Sequence, residues 1–99
     1  MAERVLTFGD EPGRIEIMER IQRDALEVNI NQLQDLAASD KSIHVRQLAI
    51  EEMTNRLKPK AAEAFLQKTI QNESAPEVKA FVENILNSIK QENAWLYKN

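Results

Sequence analysis

Cysteine is absent from this chain, and glycine, proline and aromatic residues are scarce. Without a thiol, the protein forms no disulfide, holds no metal through thiolate and offers no cysteine nucleophile. Small secreted domains usually rely on disulfides, so this composition favours the cytoplasm. Only two glycines and three prolines occur in 99 residues. The abundance of alanine, leucine, glutamate, glutamine and lysine therefore predicts helix rather than sheet.

Long hydrophobic runs are also missing. No apolar segment approaches the roughly 20 residues of a membrane-spanning helix, and residues 1–13 lack the apolar core of a signal peptide. We therefore expect no membrane contact. The net charge of −3 disfavours nucleic acid, which binds basic surfaces. With 42% apolar and 29% charged residues, the chain is typical of one globular domain over residues 1–99.

Apolar residues recur every three or four positions from residue 14 onward, the spacing of one helix face. Residues 1–13 are expected to be an irregular arm, residues 14–90 helical hairpins, and residues 91–99 a tail. Residues 14–38 form either one bent helix or two helices. We favour two, with a break near Asn29 and Asn31, because asparagine is a poor helix former and a single helix would be unusually long.

Three further helices are separated by clear breaks. A polar stretch occupies residues 39–42, and Lys58-Pro59 ends the next helix because proline disfavours helix at the residue before it. Ser74 and Glu77 around Pro76 form a capping-box pattern at the start of the last helix. The apolar residues of that helix lie on one face, and Phe81 is at the centre of that face. The sequence therefore predicts an all-α fold with four or five helices.

Two segments of the chain resemble each other at a shift of 33 residues. The character of the side chain is kept at each matched position, including two charged ones, whereas residues 1–24 show no clear copy. A fixed period of this size predicts stacked helical hairpins. The matched pairs are Leu33 with Leu66, Ala37 with Ile70, Asp40 with Glu73, Val45 with Val78, Arg46 with Lys79, Leu48 with Phe81, Ala49 with Val82, and Met53 with Leu86.

Residues 25–90 resemble HEAT-like helical repeats, in particular the short repeats of the phycobilisome-lyase type. Asp40 followed by Val45-Arg46 carries the resemblance, and Glu73 followed by Val78-Lys79 carries it more loosely. The resemblance implies a short stack of antiparallel hairpins. It also implies that the acidic residue caps a helix start and that the basic residue bridges to the neighbouring repeat. Residues 14–28 would then cap the stack.

The sequence contains no arrangement of residues typical of catalysis or of cofactor or metal binding. His44 is the one histidine and has no second ligand at metal-binding spacing, so we interpret it as an exposed residue at a helix start. Glu51 and Glu52 are interpreted as a solvated face. Glycine-rich phosphate loops and hydrolase motifs are absent. We therefore expect a protein that is not an enzyme and has no cofactor.

Two groups of residues are candidates for contact with a partner. Arg56, Lys58 and Lys60 meet at a helix junction, where they either complement a helix end or bind an acidic partner. Trp95 and Tyr97 follow the last helix, where they either fold onto the core or anchor another chain. The sequence thus favours a non-catalytic protein-binding or adaptor module of a larger assembly. A self-associating bundle and a nucleic-acid-associated protein are the alternatives.

Deleting residues 93–99 tests the role of the tail. Seven residues are too few for a stable isolated helix, and exposed aromatics would form an unusual apolar patch. If the tail packs on the core, the melting temperature falls. If it docks on another chain, the melting temperature holds while oligomer size or partner capture changes. Calorimetry and sedimentation separate the two outcomes, and no change in any readout would contradict both.

Overall fold

The computed structural model describes residues 4, 6–7, 9–24 and 27–92. Within these ranges the backbone is helical apart from short connections, and none of it is β-strand. The all-α prediction is therefore confirmed. Five helices follow one another: α1 (Glu11–Asp24), α2 (Ile30–Ser39), α3 (Ile43–Arg56), α4 (Pro59–Asn72) and α5 (Pro76–Glu92).

The chain divides into two compact units, Met1–Met53 and Thr54–Asn99, and each is described by itself. The expectation of a single domain stays a prediction. The described core of the first unit is built from aliphatic side chains and methionine. Each fully buried leucine, isoleucine, valine or methionine contributes about 1.5–3 kcal/mol to the free energy of folding. Its buried apolar residues are Leu6, Met18, Ile21, Leu33, Leu36, Ala37, Val45, Ala49, Ile50 and Met53.

Helices α1 and α3 lie side by side and run in the same direction. Near the start of α1, Arg14 bonds to Asp40, just before α3 begins. Two turns later along α1, the Gln22 amide donates to the Leu48 carbonyl at 3.4 Å and to the Glu51 carboxylate at 3.2 Å. The Arg14 contact and the two Gln22 contacts join residues that are 26–29 positions apart in the sequence. Side-chain hydrogen bonds therefore connect the two helices at two levels.

Residues 1–13 were expected to be irregular, which fits Gly9 and Asp10 but is wrong for the other residues of this segment that the structure describes. Arg4, Leu6 and Thr7 have helical backbone, and Leu6 is buried. Helix α1 begins at Glu11 because the Asp10 carboxylate accepts the N–H of Gly13 at 2.9 Å. The segment GDEPG, residues 9–13 of the expected irregular arm, thus contains a helix start. Aspartate is a favoured N-cap, and proline fits a first turn.

Residues 14–38 contain two helices, and the predicted break near Asn29 and Asn31 is confirmed. Asn29 is the N-cap of α2, and its side chain accepts the N–H of Asn31 at 2.8 Å. Asparagine side chains bond readily to nearby backbone, which disfavours helix interiors and favours caps. Asn29 therefore marks both the break that the sequence predicts and the start of α2.

In the second unit, α4 and α5 pack against each other as an antiparallel hairpin. The direction follows from an ion pair between Glu63, near the start of α4, and Lys90, near the end of α5, at 3.9 Å. Pro59 and Pro76 are the first residues of the two helices, a position that suits proline. The hairpin buries Ala62, Leu66, Val78, Val82 and Leu86, whereas Phe81 is only half-buried.

Candidate functional site

Asp40 lies in the turn between α2 and α3 and holds the most connected polar cluster among the described residues. The Arg14 guanidinium donates from Nε to Oδ2 at 2.9 Å and from Nη2 to Oδ1 at 3.0 Å. The two side chains are 15% and 6% exposed, respectively. A planar guanidinium paired in this bidentate way with a carboxylate is both strong and directional. The pair therefore fixes the first turn of α1 against the α2–α3 turn.

Further hydrogen bonds join the backbone to this pair. Asp40 Oδ1 also accepts the N–H of Ser42 at 2.9 Å, and the Asp40 carbonyl accepts from Arg46 Nη1 at 2.7 Å. On the other side, Arg14 Nη1 donates to the Gly9 carbonyl at 2.8 Å. Arg14, Ser42 and Arg46 therefore all bond to Asp40, and Gly9 accepts a further bond from Arg14.

An open cleft of about 350 Å³ lies beside this cluster. Its most polar groups are the Arg14 and Asp40 side chains, which already bond to each other and to backbone. A ligand would have to compete with these partly buried bonds, so the arrangement is that of a structural cluster. The cleft is lined by Leu6, Thr7, Gly9, Arg14, Ser39, Asp40 and Lys41.

The residue that caps α3 is Ser42, and this corrects the role expected for Asp40. Ser42 Oγ accepts the N–H of Val45, the third residue of α3, at 3.2 Å. Asp40 instead accepts the N–H of Ser42 itself. Arg46 donates to the carbonyl of Asp40 in its own turn. In the first unit the basic residue that bonds to the Asp40 carboxylate is Arg14, and the expected bridge from Arg46 to the neighbouring repeat stays a prediction.

The turn between α4 and α5 repeats this geometry 33 residues later. Glu73 Oε2 accepts the N–H of Ala75 at 2.9 Å, as Asp40 does for Ser42. The N–H of Glu73 bonds to the Thr69 carbonyl at 2.9 Å, and that of Asp40 to the Leu36 carbonyl at 3.2 Å. The sequence match between Asp40 and Glu73 thus corresponds to a shared backbone structure.

The predicted capping box at Ser74 and Glu77 is wrong. Helix α5 begins at Pro76, so the N-cap position belongs to Ala75, one residue after Ser74. Proline has a fixed φ and no N–H, and it therefore suits the first helical position. The carboxylate that serves this helix start comes from Glu73, on the other side of the turn.

Helix α1 is a further copy of α3, at a shift of 32 residues, that the sequence comparison missed. Both helices have 14 residues, and the caps Asp10 and Ser42 each accept the N–H three positions later. Arg14 then corresponds to Arg46. The buried pairs Met18 with Ile50 and Ile21 with Met53 also match. A shift of 32 differs from the period of 33, so a search at one fixed period does not find it.

Several expected site residues have clear positions. Val45 and Val78 are fully buried at equivalent positions of α3 and α5, whereas Lys79 is exposed. His44 is exposed at the start of α3, as expected. Glu52 is buried, and Glu51 accepts from Gln22, so the interpretation of this pair as a solvated face is wrong. Among the described residues, no three His, Asp or Glu side chains are placed to hold a metal ion.

The candidate partner contacts divide into those that the structure describes and those that it does not. Arg56, Lys58 and Lys60 are all exposed at the junction of α3 and α4. Lys58 is the N-cap residue of α4 and makes no side-chain cap hydrogen bond. Trp95 and Tyr97 lie outside the described residues, so the two alternatives for the tail both stay open.

Comparison with known protein families, curated proteins and solved structures finds no match for this chain. None of the five described helices is long and apolar enough to span a bilayer.

Replacing the two turn serines separately tests the capping assignment. Ser42→Ala should lower the free energy of unfolding by about 1 kcal/mol, the usual value of a serine N-cap. Ser74→Ala is the matched control and should change it by less than about 0.5 kcal/mol, as is usual for surface substitutions. Urea denaturation measures both values. A larger loss for Ser74→Ala than for Ser42→Ala would contradict the assignment.

Proposed function

We propose that the chain is a small, non-catalytic protein-binding module built on HEAT-like hairpins, acting as an adaptor or regulator of a larger cytoplasmic assembly. The repeated turn geometry supports the HEAT-like comparison, because Asp40 and Glu73 perform the same bonding in two successive hairpins. Stacked helical hairpins commonly offer extended surfaces to partners. The lack of cysteine supports the cytoplasmic part of the proposal.

The observation that carries the proposal is the contrast between two sets of charges. The charges of Asp40 and Arg14 are largely buried and bond to each other. Lys58 and Lys60 are instead exposed at the α3–α4 junction. Charged groups that hold the fold together are thus separate from charged groups that are accessible to a partner.

Comparative affinity capture from the native cell tests the proposal. The native chain is compared with the double variant Lys58→Glu/Lys60→Glu. Lys79→Glu, at an exposed position of α5, serves as a control for a lysine-to-glutamate substitution elsewhere on the surface. We expect at least one protein to be retained by the native chain and the control but lost with the double variant. Circular dichroism first establishes that all three chains fold.

Two results would contradict the proposal. Retention of nucleic acid in place of protein, removed by nuclease treatment, would favour the nucleic-acid-associated alternative. Concentration-dependent sedimentation of the native chain, with no retained partner that depends on the junction, would favour the self-associating bundle.

A further inference from the structure

Helix α4 and the turn before it carry exposed charges of one sign. Lys58, Lys60 and Lys68 are all exposed, and we call them the lysine face. Lys60 and Lys68 are eight residues apart on one side of α4, which places them about 12 Å from each other along the helix axis. Ala64 lies between them and is exposed, so little side-chain bulk separates the two lysines.

No carboxylate offsets this charge on the exposed surface of residues 54–72. The single acidic residue of the segment is Glu63. Its side chain is 18% exposed and lies 3.9 Å from Lys90 on α5. The lysine face is therefore locally positive in a chain with a net charge of −3. Interactions between exposed charges extend over a Debye length of about 8–10 Å at physiological salt.

The positions of Lys58 and Lys60 do not serve the stability of α4. The first turn of a helix is the positive end of its dipole, where acidic residues stabilise and basic residues destabilise. Helix α4 has no acidic residue in its first turn, and Lys58 at its N-cap makes no side-chain hydrogen bond. Departures of this kind from local rules are expected at functional surfaces.

We propose that the lysine face binds an acidic helix of a partner protein, with carboxylates about two turns apart facing Lys60 and Lys68. This inference rests on the proposed protein-binding function and adds Lys68 and the chemistry of the partner to it. Electrostatic complementarity of this kind mainly sets association rate and specificity. The exposed Ala64 leaves room for the backbone of the partner helix to approach α4.

A second copy of the chain is the rival occupant of the lysine face, because exposed glutamates also lie on α1 and α5, among them Glu11, Glu19, Glu77 and Glu83. Sedimentation at several concentrations separates the two occupants. Self-association of the native chain that is lost in Lys60→Glu/Lys68→Glu would overturn the inference of a partner protein.

Nucleic acid fits the lysine face poorly. Single strands bind where basic side chains alternate with exposed aromatic rings, and the aromatic residue of α4, Phe65, is half-buried. Three lysines also neutralise few phosphates. The net negative charge of the chain repels a long polyanion. The lysine face therefore suits a short acidic segment better than a nucleic acid.

An NMR titration with defined probes tests the inference directly. The probe is a synthetic helical peptide with glutamates at i, i+4 and i+8, and its control is the same peptide with glutamines. At low salt, we expect the glutamate peptide to shift the amide signals of α4 and the glutamine peptide to have no effect. Lys60→Glu/Lys68→Glu should weaken binding by roughly tenfold, because both attractions become repulsions.

Lys79→Glu on α5 is the control for a lysine-to-glutamate substitution outside the lysine face, with half the charge change of the double variant. It should bind the peptide with less than about a twofold change in affinity, as exposed charges away from a site contribute little. Shifts spread over all helices, or equal weakening by Lys79→Glu, would overturn the inference. Tighter binding of a single-stranded DNA oligonucleotide than of the peptide, lost in the same double variant, would also overturn it.

The capture experiment separates this inference from the proposed function. If a partner is lost with Lys58→Glu/Lys60→Glu but retained by Lys68→Glu, and the peptide leaves α4 unshifted, the lysine face is wrong while the protein-binding function stands. If a partner is lost with either change and the peptide binds α4, both hold.

Discussion

The pairing of Arg14 with Asp40 is the interaction on which the architecture of the first unit depends. One carboxylate at 6% exposure accepts two bonds from a guanidinium and one from the backbone of Ser42. A largely buried carboxylate left without its partner costs several kcal/mol. The pair therefore holds the start of α1 against the α2–α3 turn, because moving α1 away would leave this carboxylate without its guanidinium.

The second hairpin shows which part of this arrangement is general. Glu73 repeats the bond of Asp40 to the backbone two residues ahead, and both turns are buried at the acidic residue or close to it. An acidic residue in the turn satisfies an N–H that the following helix cannot bond internally. Both turns therefore use the same carboxylate-to-backbone bond at the helix start. In the first unit, the bidentate pair with Arg14 additionally holds α1 against the turn.

Most helix boundaries could be predicted from neighbouring residues in the sequence. The pairing of side chains that are distant in the sequence could not. Pro59, Pro76 and Asn29 act within one turn of the chain, so their effect on helix boundaries is readable from neighbouring residues. Arg14 and Asp40 are 26 residues apart, and no local pattern relates them. The capping box failed because Pro76 sets the helix start one residue later than Ser74 requires. Arg56, Lys58 and Lys60 could be proposed as partner contacts from the sequence because they lie within five residues, whereas the proposal of Lys68 required the exposure of the side chains along α4.

A double-mutant cycle on Arg14 and Asp40 tests the central claim most directly. Arg14→Met keeps the aliphatic stem and removes the charge, and Asp40→Asn keeps an acceptor for the Ser42 N–H. The free energy of unfolding of the native chain, both single variants and the double variant is measured by urea denaturation. We expect a coupling energy of about 1–3 kcal/mol, with the double variant more stable than the sum of the single losses predicts. Additive losses, within about 0.3–0.5 kcal/mol, would contradict the account.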